Sequence, residues 1–151
     1  MAYIDTMTGL GNRTAFLEEN KSNAIFPGMI SYIMMDANNL KTINDTLGHN
    51  KGDELIITIA KCMRKAVGHN GQCYRIGGDE FVIILKNKTA AETEEIINKV
   101  RCEIEFADKQ SDITISVAIG YVWTDTEQKN LEDLMQHADD EMYQDKKKTK
   151  E

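Results

Sequence analysis

Gln72-Cys-Tyr-Arg-Ile-Gly-Gly-Asp-Glu-Phe-Val-Ile-Ile-Leu85 reads as two strands joined by a tight turn. The paired glycines Gly77 and Gly78 permit a sharp reversal and leave their N–H groups open to close approach. After them, Phe81 to Leu85 is apolar without a break, so this strand is expected to be covered on both faces. Met29-Ile-Ser-Tyr-Ile-Met-Met35 reads as a second buried strand and ends at Asp36. Two such strands call for helices on either side of a sheet.

The rest of the chain supplies them. Leu55, Ile56, Ile59, Ala60, Met63 and Val67 recur at helical steps, with Lys61, Arg64 and Lys65 facing out and Gly68 as the stop. Asn12 to about Lys21 reads as a helix capped by Asn12, with Phe16 and Leu17 inward. A turn is expected over Asn23–Gly28, and a short helix over Asn39–Thr46, broken by Gly48-His-Asn-Lys-Gly52. Thr89 to Phe106 places Thr93, Ile96, Ile97, Val100 and Ile104 on one helical side. Ile113, Ile115, Val117 and Ile119 alternate with small or polar residues, which predicts a strand over 113–119. Leu131, Leu134, Met135, Ala138 and Met142 form the apolar stripe of a last helix. The expected class is α+β: a central, mostly antiparallel sheet flanked by helices.

At 151 residues, with one proline and no repeat or Ser/Gly linker, the chain is expected to be a single domain over 1–151. A hydrophobic share of 41% excludes disorder for most of it. The net charge of −7 argues against general binding of nucleic acid or anionic membrane. No apolar run approaches the roughly 18 residues of a membrane span, and no secretory signal opens the chain. Cys62, Cys73 and Cys102 suggest neither a disulfide framework nor a zinc knuckle. The expectation is a cytoplasmic protein with reduced thiols. His49, His69 and His137 lack metal-ligand spacing and read as surface or capping residues, and the eight methionines as core filler.

The chemistry points to acids. An unpaired Asp36 at the end of an apolar strand would be costly. A sheet that sets this strand beside the hairpin brings Asp36 near Asp79 and Glu80. Clustered carboxylates raise one another's pKa unless a cation sits among them, and hard oxygen ligands suit Mg²⁺ or Mn²⁺. A magnesium held by few carboxylates commonly completes its shell with phosphate oxygens. Asn44 and Asp53 have the donor and acceptor groups to read a purine edge. An equally good reading makes Asn44 a helix cap and Asp53 a favourable charge in a first helical turn. No Gly-x4-Gly-Lys-[Ser/Thr] pattern occurs, so a phosphate site here is not of the Walker type.

Arg75-Ile-Gly-Gly-Asp-Glu-Phe-Val82 resembles the signature of the GGDEF domain, the diguanylate cyclase family. Four further stretches resemble that family in order and spacing. They are Asp5-Thr-Met-Thr-Gly-Leu-Gly-Asn-Arg13, Asp36 through Glu54, Ile115-Ser-Val-Ala-Ile-Gly120 and Ala138-Asp-Asp-Glu-Met-Tyr-Gln-Asp-Lys146. The resemblance implies a five-stranded sheet flanked by helices, like the polymerase palm and the adenylyl cyclase core. It implies a bacterial signalling enzyme that condenses two GTP into cyclic di-GMP with release of two pyrophosphates, across a homodimer of domains. It also implies an N-terminal sensor domain in a longer protein. The alternative is a non-catalytic GTP-binding module that regulates a neighbouring domain.

By the same likeness, Asp36, the carbonyl of Ala37 and Asp79 would hold two Mg²⁺ or Mn²⁺ per site, with Glu80 a further ligand or the general base. Gly77 and Gly78 would lie against the nucleotide. Asn44 and Asp53 would select guanine. Lys41 and Lys146 would contact phosphates, and Asn39 and Leu40 would offer them backbone N–H groups. Three features depart from the family pattern. Asn38 stands where many members have a second acid. Thr149-Lys-Glu151 stands for the usual Gly-Arg-Asn, so that Lys150 replaces an arginine. Gly68-His-Asn-Gly71 stands for the Arg-x-x-Asp of an inhibitory product site, and feedback inhibition through that site is not expected.

Overall fold

The computed structural model describes residues 2–21, 28–125 and 130–150. Four strands form one antiparallel sheet: β1 (Ile30–Ala37), β2 (Gly71–Arg75), β3 (Glu80–Lys86) and β4 (Val117–Thr124), in the order β2-β3-β1-β4. Five helices accompany it: α1 (Arg13–Asn20), α2 (Leu40–Leu47), α3 (His49–Val67), α4 (Ala90–Gln110) and α5 (Leu131–Lys150).

Strand parity explains the three layers. Along β1, Ile33, Met35 and Ala37 face a core built with Leu55, Ile59 and Met63 of α3 and Ile97 and Val100 of α4. Ile30, Tyr32 and Met34 face the opposite core, built with Phe16 of α1 and Leu134, Ala138 and Met142 of α5. Every residue of β1 is buried, as are Phe81 to Leu85 of β3, which is why neither strand alternates in sequence.

The helix ends follow local chemistry. Asn12 caps α1 by accepting from the N–H of Ala15, at 3.0 Å. Thr89 and Glu92 form a reciprocal capping box at the start of α4.

Four expectations are corrected. Four strands form among the described residues, not five: beside β2 the N-terminal segment makes isolated bridges, Gly11 with Tyr74 and Ile4 with Gly11, before Asn12 turns it into α1. The last strand starts at Val117, not Ile113. Ile113 and Ile115 are buried, but their N–H groups go to the side chains of Ser111 and Asp108 instead of a strand ladder. Leu17 is 43% exposed while Phe16 is buried. The break expected over residues 48–52 is confined to Gly48 (φ 93°), and α3 begins at His49. The turn expected from Asn23 and the side chain of Lys150 lie outside the described residues.

Candidate nucleotide and metal site

The site gathers where β1 ends beside the β2–β3 turn. Asp36 stands opposite Glu80 in the ladder, and the N–H of Ala37 donates to the carbonyl of Asp79 at 2.8 Å. Asn38 turns to Ser116. Its N–H donates to the carbonyl of Ser116 and its Nδ2 to Ser116 Oγ, both at 2.9 Å. Asn39 then takes a left-handed backbone (φ 67°, ψ 21°) and opens α2, as asparagine tolerates better than most residues.

The turn is clamped from behind. Arg75 donates to the carbonyl of Gly78 through Nη2 at 2.8 Å, and its Nη1 lies 3.3 Å from both carboxylate oxygens of Asp5. Partial burial would raise the pKa of Asp5. The hydroxyl and N–H of Thr8 and the guanidinium of Arg75 outweigh it and hold the carboxyl below the usual range. The N-terminal loop thus fixes the hairpin tip through one arginine.

The glycines of this turn are not needed for its backbone shape. The tight turn expected between the strands forms, but the positive-φ glycines are Gly9, Gly48 and Gly68, so Gly77 and Gly78 make it without left-handed backbone. A Cβ on Gly78 would meet nothing within 4 Å. Its missing side chain leaves open the space in front of Asp79.

Asp36 is 7% exposed. Lys146 of α5 binds its Oδ2, while its Oδ1 is buried with no hydrogen-bond partner. The pair is lopsided. Burial raises the pKa of Asp36, the bridge from Lys146 lowers it, and the neighbouring Asp79 raises it again, so the carboxyl stays above its usual range. Lys146, more exposed, gains from the bridge and is held above the usual lysine value, with Asp79 and Glu80 adding to the effect.

Among the described residues no three His, Cys, Asp or Glu side chains gather as a ready ligand shell. Asp36 and Asp79 face each other, and Glu80 is exposed at the surface. Two carboxylates and an orphaned buried oxygen fit a hard divalent cation that completes its shell with phosphate or water.

A cleft of about 420 Å³ opens beside Asp79, lined by Leu40, Lys41, Asn44, Asp45, His49 and Gly78. A cleft of similar volume, about 400 Å³, is bordered by Glu19, His69, Gln72 and Lys86, but it has no paired acids. Chemistry, not volume, distinguishes the two. Lys41 and Asp45 lie four residues apart on α2, a spacing that could have placed Asp45 in the cleft from sequence, whereas His49 comes from the start of α3. Asp53 is exposed on α3 and does not line the cleft. Gly52, expected as part of a helix break, sits inside α3, where a Cβ would lie 1.8 Å from Asn44 Oδ1. Asn44 is therefore packed against helix backbone.

Comparison with known proteins bears on the fold and the family. Residues 2–151 match the family model described as "Diguanylate cyclase, GGDEF domain". Signaling protein YkoW of Bacillus subtilis is 33% identical over 159 residues, covering 99% of this chain and 20% of YkoW. Diguanylate cyclase DgcN of Escherichia coli is 33% identical over 150 residues, covering 95% of this chain and 36% of DgcN. The chain thus spans well under half the length of these relatives. Among solved structures, the GGDEF domain of DgcB from Caulobacter crescentus, in complex with c-di-GMP, superposes with a TM-score of 0.86 at 25% identity, covering 97% of this chain and 91% of that one. A family match from end to end, on a fold shared with solved members, makes this chain a member of the GGDEF domain family.

Proposed function

We propose that this domain is an active, guanine-specific diguanylate cyclase, joining two GTP into cyclic di-GMP and releasing two pyrophosphates. The observation that carries the reading is Asp36, buried with an unsatisfied oxygen, beside Asp79, which lines a cleft with Leu40 and Lys41 at the start of α2. The family match over residues 2–151 and the fold shared with a solved GGDEF domain support it.

Asp36, the Ala37 carbonyl and Asp79 would hold the divalent ions, with Glu80 a further ligand or the general base. When bound, two such ions supply activation of a 3′-hydroxyl and neutralisation of charge on the α-phosphate and leaving group. Lys41 and Lys146 bind phosphate oxygens, joined by the N–H groups of Asn39 and Leu40, which the left-handed turn at Asn39 presents at the head of α2. Asn44, held by Gly52, reads the guanine edge, and Asp53, the next residue along α3, accepts from it. Each domain offers one such site, so two domains must meet. The N-terminal sensor expected from the resemblance would serve to bring them together.

Incubation with Mg²⁺ and GTP, with products resolved by chromatography, tests the reading. Cyclic di-GMP is expected, absent from Asp79→Ala, with turnover per domain rising with protein concentration. GTP retained but unreacted identifies a regulatory binding module, and turnover independent of protein concentration identifies a one-substrate cyclase.

Gly78→Ala separates fold from function. Its melting temperature is expected to match the wild type, because the added methyl meets only open space. Its GTP affinity is expected to fall about tenfold or more, as a side chain enters the room the nucleotide needs.

Cyclic di-GMP is not expected to inhibit through the Gly68–Gly71 stretch. The departure there is built into the backbone: Gly68 has φ 54°, and a Cβ on Gly71 would lie 2.5 Å from the carbonyl oxygen of Ile84. A dose–response measurement showing potent non-competitive inhibition contradicts this.

A further inference from the structure

Lys146 does more in this fold than wait for a phosphate. Its Nζ rests on Asp36 Oδ2, and Asp79 and Glu80 are its next electrostatic neighbours. The ammonium therefore touches Asp36 and feels the charge of Asp79, the two acids that a divalent cation would also face. The second oxygen of Asp36 stays buried without a donor, so a single positive charge leaves the carboxylate pair under-compensated. A divalent ion held between Asp36 and Asp79 shares the Asp36 carboxylate with Lys146, and at that range it repels the ammonium. Lys146 has somewhere to go: its side chain is 34% exposed, against 10% for Asp36, and it lies on the solvent side of the pair.

We infer that Lys146 is a resident counter-ion that competes with the divalent cation for Asp36, and that the phosphates of the substrate relieve this competition by drawing the ammonium away. The inference rests on the reading of Asp36 and Asp79 as metal ligands. It makes the order of events a property of one side chain. Metal alone binds weakly, because it must expel Lys146 into water. Metal with nucleotide binds cooperatively, because the expelled charge finds phosphate oxygens. By linkage, the factor by which nucleotide tightens metal equals the factor by which metal tightens nucleotide.

The test is Mn²⁺ titration, read from the electron paramagnetic resonance signal of the free ion. Wild type, Lys146→Met, Lys146→Gln and Asp36→Asn are compared, each with and without a GTP analogue carrying a methylene between its α- and β-phosphorus atoms. Lys146→Gln keeps a polar head and guards against a packing defect in Lys146→Met. Both Lys146 variants are expected to bind Mn²⁺ alone about tenfold tighter than wild type, and the tightening given by the analogue is expected to shrink by a similar factor. A residue that merely steadied α5 would not raise metal affinity when removed. Lys146 variants with unchanged or weaker Mn²⁺ affinity overturn the competition, while loss of binding in Asp36→Asn keeps the metal site standing. Mn²⁺ binding indifferent to Asp36→Asn in both conditions overturns the metal site and the inference together.

Discussion

Asp36→Asn is expected to lower cyclic di-GMP formation by about three orders of magnitude or more while leaving the melting temperature at or above that of the wild type. The activity loss follows from removing an anionic ligand from the site of charge development, an effect worth several kcal/mol. The stability claim follows from the imbalance at this residue. Burial and the facing Asp79 outweigh the bridge from Lys146, so the folded protein disfavours the ionised carboxyl. A group whose folded pKa is raised contributes stability below its unfolded value, near 3.9 for aspartate, and loses it as pH rises through the folded value. The neutral amide escapes that loss. The stability advantage of Asp36→Asn is therefore expected to be absent in acid and to grow as pH rises past the ordinary aspartate range. Denaturant unfolding at a series of pH values, beside an activity assay, checks both halves. A variant that loses activity only because it unfolds contradicts the account.

Gly120→Ala is expected to have the largest effect on stability. Gly120 pairs with Met34 across the sheet and faces α5, where an added Cβ would lie 2.0 Å from the backbone N of Met142 and 2.3 Å from the carbonyl oxygen of Ala138. Neither atom can swing aside as a side-chain tip could, so the helix must lift from the sheet. Overpacking against a rigid partner costs about 3 kcal/mol or more. For a domain of this size that is a fall of roughly 6–12 °C in melting temperature. The same displacement moves Lys146 from Asp36, so nucleotide binding is expected to weaken even well below the unfolding transition. Thermal unfolding of Gly120→Ala beside Gly78→Ala makes the contrast visible, since both add one methyl group to a strand or turn of the same sheet.

Much of this was legible in the sequence. The apolar run at Phe81–Leu85 and the one at Ile30–Met35, interrupted by Ser31, announced two central strands, because a strand covered on both faces dispenses with polar alternation. The periodic stripe from Leu55 to Val67 announced α3, and Asn12 and Thr89 announced their helix starts. Long-range geometry was harder to see. Ile113 and Ile115 are inside, as alternation implied, but alternation cannot tell a ladder from backbone held by Asp108 and Ser111 side chains. Gly120 looked like the end of a strand and is a contact point for α5 in the middle of one. Gly52 looked like a helix breaker and is room for Asn44. In both cases the reason for glycine lies on another element, so no local window contains it. Asp36, Asp79 and Glu80 were expected to cluster; Asp79 neighbours Asp36, but the three do not gather as a ligand shell among the described residues, and the ion pair between Asp36 and Lys146 joins residues 110 positions apart and has no sequence signal of its own.

The central claim is that Asp36 and Asp79 jointly hold divalent cations for a triphosphate lodged beside α2. Crystals grown with Mn²⁺ and the methylene-bridged GTP analogue test it most directly, through anomalous scattering at the manganese edge. The account predicts a manganese peak contacting both carboxylates, phosphates beside Lys41 and in front of Gly78, and the base near Asn44. A triphosphate bound elsewhere, or manganese absent from this carboxylate pair with nucleotide present, contradicts it.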